Sequence, residues 1–214
     1  GAIVFVSDSG SNKSIHKNAL KLMSLHHIAS ETGLHTEKIY DAELWIISPG
    51  LSKNSKIVKK ANQKNIKSIS EIEFASKYAS SPIIAVTGSN GKTTTCNMIN
   101  SMLNGSGITP VLSGNLGVPF SKTVLEQLKN PSRNAYFILE VSSFQLEKIE
   151  RFKPNYAVFT NISPDHLDRH GTMSEYIKMK LRLVKNSSQS DYIIYNQDDT
   201  ILNQVFIKKG SKKV

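Results

Sequence analysis

An apolar, β-branched run, Ile83-Ile84-Ala85-Val86, passes directly into Thr87-Gly88-Ser89-Asn90-Gly91-Lys92-Thr93-Thr94-Thr95. Cys96 to Leu103 follows, with apolar residues recurring at helical spacing. Strand, glycine turn, Lys-Thr and helix in that order commit this part of the chain to a βα unit whose turn is shaped for an anion. The glycines let backbone N–H groups point inward without Cβ obstruction, and the helix N-terminus adds partial positive charge. Lys92 then reaches outer phosphates and the Thr93 hydroxyl is placed to ligate Mg²⁺. The pattern is the short G-x-x-G-K-T form: Val86 stands where the longer phosphate-loop pattern has its first glycine. A bland glycine turn with a surface lysine does not need the flanking strand and helix, so the segment reads as a nucleoside triphosphate site. The candidate ATP cradle is Gly88, Ser89, Asn90, Gly91, Lys92, Thr93 and Thr94.

The rest of the chain repeats the β–α rhythm. Strands are expected at Ala2–Ser7, Leu44–Ser48, Ile66–Ile69, Thr109–Leu112, Tyr136–Val141, Tyr156–Thr160 and Tyr192–Tyr195. A loop is expected at residues 8–12, a helix from about Ser14 to Ser30, and a basic helix after Pro49-Gly50. Ser70 reads as an N-cap with Glu73 at the capping-box position. Ser80-Ser81-Pro82 is the best linker. This alternation predicts an α/β protein with parallel sheets and sites at the carboxyl ends of the strands. Two domains are expected, residues 1–79 and 80–214.

Composition narrows the function classes. The net charge of +10 raises nucleic-acid binding. However, the charge comes from 23 lysines and only 4 arginines. Its two concentrations, Lys53–Lys67 and Lys208–Lys213, lack the arginine and aromatic interleaving of base readers. The first reads as the solvated face of an amphipathic helix, and no nucleic-acid partner is expected. The single cysteine, Cys96, rules out an intramolecular disulfide and suits a small packing residue in a reducing compartment. No apolar run is long enough to span a bilayer and no leader opens the sequence. A cytoplasmic monomer without membrane contact is expected.

Polar residues gather at strand ends beyond the phosphate loop. Glu140 closes the run Ala135 to Leu139 and fits either a Mg²⁺ ligand or a helix-initiating glutamate. Residues 161–171 (Asn-Ile-Ser-Pro-Asp-His-Leu-Asp-Arg-His-Gly) carry two Asp, two His and an Arg. His166 there is either a packed histidine or a ligand at the mouth of a strand.

The order Thr-Gly-Ser-Asn-Gly-Lys-Thr-Thr-Thr, Glu-Val-Ser-Ser-Phe-Gln-Leu-Glu (140–147), Asn161 to Gly171, and Tyr176-Ile177-Lys178-Met179-Lys180-Leu181-Arg182 closely resembles the Mur ligases. These are ATP-dependent amide-forming enzymes of peptidoglycan precursor synthesis. Residues 142–146 with Arg169 and Arg182 look like the branch that adds D-glutamate. Residues 6–9, 48–50 and 70–73 resemble that branch's UDP-binding domain. The resemblance implies a Rossmann-like UDP-binding domain followed by a phosphate-loop ATP-binding domain, both partial here. It also implies a third domain beyond these 214 residues, so this stretch alone is expected to be inactive in amide formation.

By the same resemblance, the carboxylate of UDP-N-acetylmuramoyl-L-alanine attacks ATP to give an acyl phosphate, which D-glutamate opens. Lys92, His166 and Lys180 would be catalytic. Thr93, Glu140, His166 and Lys180 would form the Mg²⁺ sites, with Lys180 carbamylated by CO₂. Asp8, Ser9, Ser48 and Asn115 would bind substrate. The sequence departs from the family at Met179, where alanine usually precedes the lysine, and Lys180 on its own also reads as an ordinary helix lysine. A lysine- or diaminopimelate-adding ligase, a folylpolyglutamate synthase-like enzyme, and a non-catalytic nucleotide-binding module are the alternatives.

Overall fold

The computed structural model describes residues 1–10, 13–115 and 117–208. Ser11 and Asn12 of the expected loop, Leu116, and residues 209–213 of the second basic cluster lie outside them. The chain forms two compact units, one of Gly1–Trp45 with Lys53–Lys67, the other of Ile46–Ser52 with the chain from Ser68 onward. Residues 68–79 therefore pack in the second unit.

In the first unit, β1 (Phe5–Asp8), α1 (Lys13–Leu25) and β2 (Ala29–Thr32) make a parallel βαβ element, with Phe5 opposite Ala29 and Asp8 opposite Thr32. The expected helix to Ser30 stops at Leu25 instead, and β2 takes its last residues. The stop is a Schellman turn. His27 sits at φ 53° while the N–H groups of His27 and Ile28 donate to the carbonyls of Ser24 and Met23. Glycine usually marks that position, so a histidine there leaves no signal in the sequence. The basic helix α2 (Lys56–Gln63) ends the same way through Asn65 at φ 59°. It starts on the Ser55 hydroxyl, which accepts from Val58 N–H, and buries Val58 and Ala61 while its lysines stay outward. β3 (Leu44–Ile47) and β4 (Lys67–Ser70), of which Ile46–Ile47 and Ser68–Ser70 are assigned to the second unit, form a separate two-stranded sheet.

The second unit is built on five parallel strands. They are β5 (Ile83–Thr87), β6 (Thr109–Gly114), β7 (Ala135–Glu140), β8 (Tyr156–Phe159) and β9 (Tyr192–Tyr195), in spatial order β6-β7-β5-β8-β9. All five residues of the central β5 are buried, as a strand covered on both faces must be. Alternation sorts its side chains. Ile84 and Val86 join Ile138 and Cys96 beneath α4 (Lys92–Leu103), whereas Ile83 and Ala85 face a larger core of Phe120, Phe137, Leu139, Phe159, Tyr176 and Phe206. That core is closed by α3 (Glu71–Ser76), α5 (Phe120–Lys129), α7 (Met173–Leu181) and α8 (Thr200–Lys208). A four-residue α6 (Leu167–His170) precedes α7.

Ser70 caps α3 as expected, its hydroxyl accepting from Glu73 N–H. The Glu73 carboxylate does not turn back to complete a capping box. Fully buried, it accepts from the backbone N–H groups of Glu150, Arg151 and Phe152 at 2.8–3.1 Å. A buried carboxylate takes the largest available set of donors, and the loop after β7 offers three in a row. Glu71 likewise accepts from Ser121 N–H in the first turn of α5. No helix among the described residues is long and apolar enough to cross a membrane.

Candidate functional site

The turn after β5 puts the phosphate-loop residues at the carboxyl edge of the sheet's central strand. Gly91 caps α4 in the left-handed region at φ 78°, which opens the N-terminus of the helix toward the turn. Gly88 is required for a different reason. A Cβ there would lie 1.9 Å from Thr160 Oγ1 and 3.1 Å from the Asn161 backbone. The turn is braced by the loop after β8. Asn161 Oδ1 accepts from Asn90 N–H at 2.9 Å, and Asn161 Nδ2 and Thr160 Oγ1 both donate to the Asn90 carbonyl. Ser89 N–H donates to the Asn161 carbonyl, and the Ser89 hydroxyl lies between Ser163 and the buried Tyr176 hydroxyl. The brace has its own anchor: Asp199 accepts from Ile162 N–H through one oxygen and caps α8 at Leu202 N–H through the other.

Lys92 Nζ donates to the carbonyls of Gly88 and Ser89 at 3.0 and 2.8 Å. In the same first turn of α4, Thr93 Oγ1 donates to Glu140 Oε2 at 2.5 Å, and Asn115 Nδ2 donates to Glu140 Oε1 at 2.7 Å. The buried carboxylate at the end of β7 is thus shared by the residue after the phosphate-loop lysine and by the loop after β6. Gly114 allows that approach, since a Cβ on it would meet the Glu140 carbonyl at 2.4 Å. A hydroxyl and a carboxylate side by side at the mouth of an anion cradle are hard oxygen ligands, the donor set that suits Mg²⁺. Among the described residues no group of three His, Cys, Asp or Glu forms a metal cluster. These two oxygens could hold a Mg²⁺ together with phosphate.

Lys180 reaches the same turn from α7. It is 2% exposed, donates to the Gly88 carbonyl at 2.7 Å and lies 4.6 Å from the centre of the Tyr176 ring. Burial, and then the charge of Lys92, bring its pKa down to about 7. The amine is therefore half neutral at neutral pH, which an ordinary lysine is not. Cys96 behaves in the opposite sense: burial, and then Glu140, push its thiol up to about 12 and leave it inert.

His166 begins α6 in a left-handed conformation, φ 50°, with its ring half exposed, 3.5 Å from Asp165 and 4.9 Å from the Phe144 ring centre. His170 stacks on Phe144 at 5.4 Å and contacts the Ser143 hydroxyl at 3.0 Å; burial chiefly lowers its pKa. Ser48, exposed, belongs to the second unit. Asp8 and Ser9 are exposed at the end of β1 in the first unit, and the Asp8 carboxylate accepts from Gly10 N–H.

The structure therefore gathers Gly88, Ser89, Asn90, Gly91, Lys92, Thr93, Glu140, Asn115 and Lys180 around one turn. Thr94 is exposed on α4 just beyond. The sequence motifs contain Asn161 and Tyr176 without giving either a role at the site, and Thr160 and Asp199 fall outside them. The density of polar residues from Asn161 onward is the available signal, and it points to the charged members of the loop rather than to the amide that does the bracing.

The Mur ligase middle domain matches residues 86–214 and the MurD N-terminal domain matches residues 1–57. The chain is 42% identical over 201 residues to a UDP-N-acetylmuramoylalanine–D-glutamate ligase of Christiangramia forsetii, covering 93% of this chain and 43% of that protein. It is 39% identical over 214 residues to the ligase of the same name from Bacteroides thetaiotaomicron, covering 99% and 46% respectively. It thus spans less than half the length of these relatives. Among solved structures, a UDP-N-acetylmuramate:L-alanyl-γ-D-glutamyl-meso-diaminopimelate ligase of Neisseria meningitides superimposes with a TM-score of 0.61 at 17% identity, over 97% of this chain and 75% of that one. Thermotoga maritima MurF in complex with ADP does so with a TM-score of 0.52 at 16% identity, over 84% and 51%. These two show a shared fold.

Proposed function

The chain belongs to the Mur ligase family, and on that premise we propose that it is part of an ATP-dependent ligase that adds D-glutamate to UDP-N-acetylmuramoyl-L-alanine, through an acyl phosphate, in peptidoglycan precursor synthesis. The observation that carries this reading is the Thr93–Glu140 contact at 2.5 Å beside Lys92. Between the first turn of α4 and the end of β7, beside the central strand, it pairs the two oxygen ligands that a Mg²⁺–phosphate site would use. The relatives near 40% identity carry the D-glutamate ligase name, which favours this member over the lysine-adding alternative. In this reading residues 1–79 serve the UDP-substrate and residues 80–214 serve ATP.

Phosphoryl transfer needs charge neutralisation and alignment more than covalent help. Gly88 to Gly91 and the N-terminus of α4 offer N–H donors to phosphate oxygens. Lys92, now on two loop carbonyls, would turn to the β- and γ-phosphates when ATP is bound. Thr93 and Glu140 would hold Mg²⁺, and Asn115, bonded to the Glu140 carboxylate, would keep it oriented and contact the substrate. Bound Mg²⁺ supplies screening between the two reacting anions. His166, half exposed, would serve a second Mg²⁺ on the substrate side. Lys180, already partly neutral, has the free electron pair that CO₂ needs, and its carbamate would turn a buried cation into an anion facing the metal site. Asp8, Ser9 and Ser48 would contact the UDP-substrate.

The test is equilibrium binding of ATP to this chain with and without Mg²⁺, alongside Lys92→Ala and Glu140→Gln. Binding that requires Mg²⁺ and weakens at least tenfold in both variants is expected. ATP binding indifferent to Mg²⁺ and to both substitutions would refute the site.

A further inference from the structure

One side chain outside the phosphate site makes more long-range contacts than packing alone would require. Ser48-Pro49-Gly50-Leu51 is a β-turn closed by Leu51 N–H on the Ser48 carbonyl at 3.0 Å. The Arg169 guanidinium reaches three of its carbonyls: Pro49 at 2.8 Å, Gly50 at 3.3 Å and Leu51 at 3.4 Å. The same group lies 4.5 Å above the Phe144 ring and 3.5 Å from the Glu147 carboxylate. Phe144 in turn carries His170 stacked on it and His166 against it. One planar cation therefore ties the turn to the aromatic cluster next to the candidate metal histidine.

We propose that Arg169 is a positioning residue that holds the Ser48–Leu51 turn in register with Phe144 and His166, so that the muramoyl-alanine end of the UDP-substrate is presented to the phosphate site. This rests on the function proposed above. The chemistry is specific to arginine. Only a guanidinium has donors forked widely enough to serve several carbonyls while its flat face stays on a ring. Three carbonyl oxygens crowded into one turn are also a local concentration of negative charge. Arg169 neutralises it where an anionic sugar nucleotide has to approach. Lysine could supply the charge and one bond, but neither the fork nor the stacking.

The experiment has two arms on this chain, comparing wild type, Arg169→Ala and Arg169→Lys. Hydrogen exchange at the Leu51 amide reads the turn directly and needs no ligand. It is expected to quicken about tenfold or more in Arg169→Ala and less in Arg169→Lys, since the turn loses the bonds that hold it closed. Affinities for UDP-N-acetylmuramoyl-L-alanine and for Mg-ATP read the function. The first is expected to fall about tenfold or more in Arg169→Ala, with partial recovery in Arg169→Lys and ATP affinity unchanged within twofold. Unchanged exchange in Arg169→Ala overturns the clamp. Faster exchange with unaltered UDP-substrate affinity, or equal losses for both ligands, overturns the positioning role. A wild-type chain that holds the turn but ignores the UDP-substrate refutes the functional reading, and the substrate role of Arg169 with it.

Discussion

Replacing Lys180 by methionine removes a titrating ammonium while keeping most of the stem that fills its site. Unfolded, this lysine holds its proton to about pH 10.5; folded, it releases it near pH 7, because of burial and the neighbouring Lys92 charge. Between those values the unfolded chain binds more protons than the folded one, so stability rises with pH across the window and is flat below it. At about 1.4 kcal/mol for each pH unit, wild type gains roughly 2.5 kcal/mol relative to Lys180→Met between pH 7 and pH 9. The assay is urea unfolding of both proteins at pH 6, 7, 8 and 9 in CO₂-free buffer, since urea adds no ionic screening. Far-UV circular dichroism is the signal to follow. The single tryptophan, Trp45, lies in the first unit, whereas Lys180 lies in the second. Stability curves that stay parallel across the four pH values would refute the reasoning. They would mean that the Gly88 carbonyl and the Tyr176 ring stabilise the ammonium enough to cancel its desolvation. The functional corollary is reactivity: an amine with a pKa near 7 is about half neutral at pH 7, against roughly 0.03% for an unperturbed lysine.

Three further outcomes are expected. Glu73→Ala leaves three adjacent backbone N–H groups without their buried acceptor and should cost about 3–5 kcal/mol in urea unfolding; a loss under about 1 kcal/mol would show that water replaces the carboxylate. Gly88→Ala drives a methyl into Thr160 and the Asn161 backbone, so Mg-ATP binding should fall at least tenfold in calorimetry, and retained affinity would mean the loop after β8 gives way. Asn161→Ala removes the amide that holds both backbone groups of Asn90, and ATP affinity should weaken about tenfold with a stability loss of only about 1–2 kcal/mol; unfolding of the second unit instead would make Asn161 a structural rather than a positioning residue.

Much of this protein is written locally. The β-branched run before Gly88, the glycine turn and the Lys92-Thr93 pair specify strand, cradle and helix within some twenty residues, because each choice is made by neighbours in sequence. Glu140 could be picked out as a strand-end carboxylate, though not chosen between its two readings; only the folded sheet, by putting β7 next to β5, brings Thr93 to it across 47 positions. Where local signals fail, the reason is also local. His27 ends α1 in a conformation that glycine normally advertises, so the first two residues of β2 read as the end of a helix.

Tertiary structure decided the rest. Glu73 reads as half of a capping box and becomes the acceptor for a loop some 77 residues away. Asn161 reads as a strand-end polar residue and becomes the brace of the phosphate loop. Lys180 cannot be told from Lys178 by composition, yet one is buried beneath Gly88 while the other pairs with Glu175 near the surface. Periodicity and turn chemistry are properties of a short stretch of backbone, and a sequence carries them openly. Desolvation, shared donors and the pKa of an amine depend on which distant groups arrive, and only the packed sheet with its loops determines that.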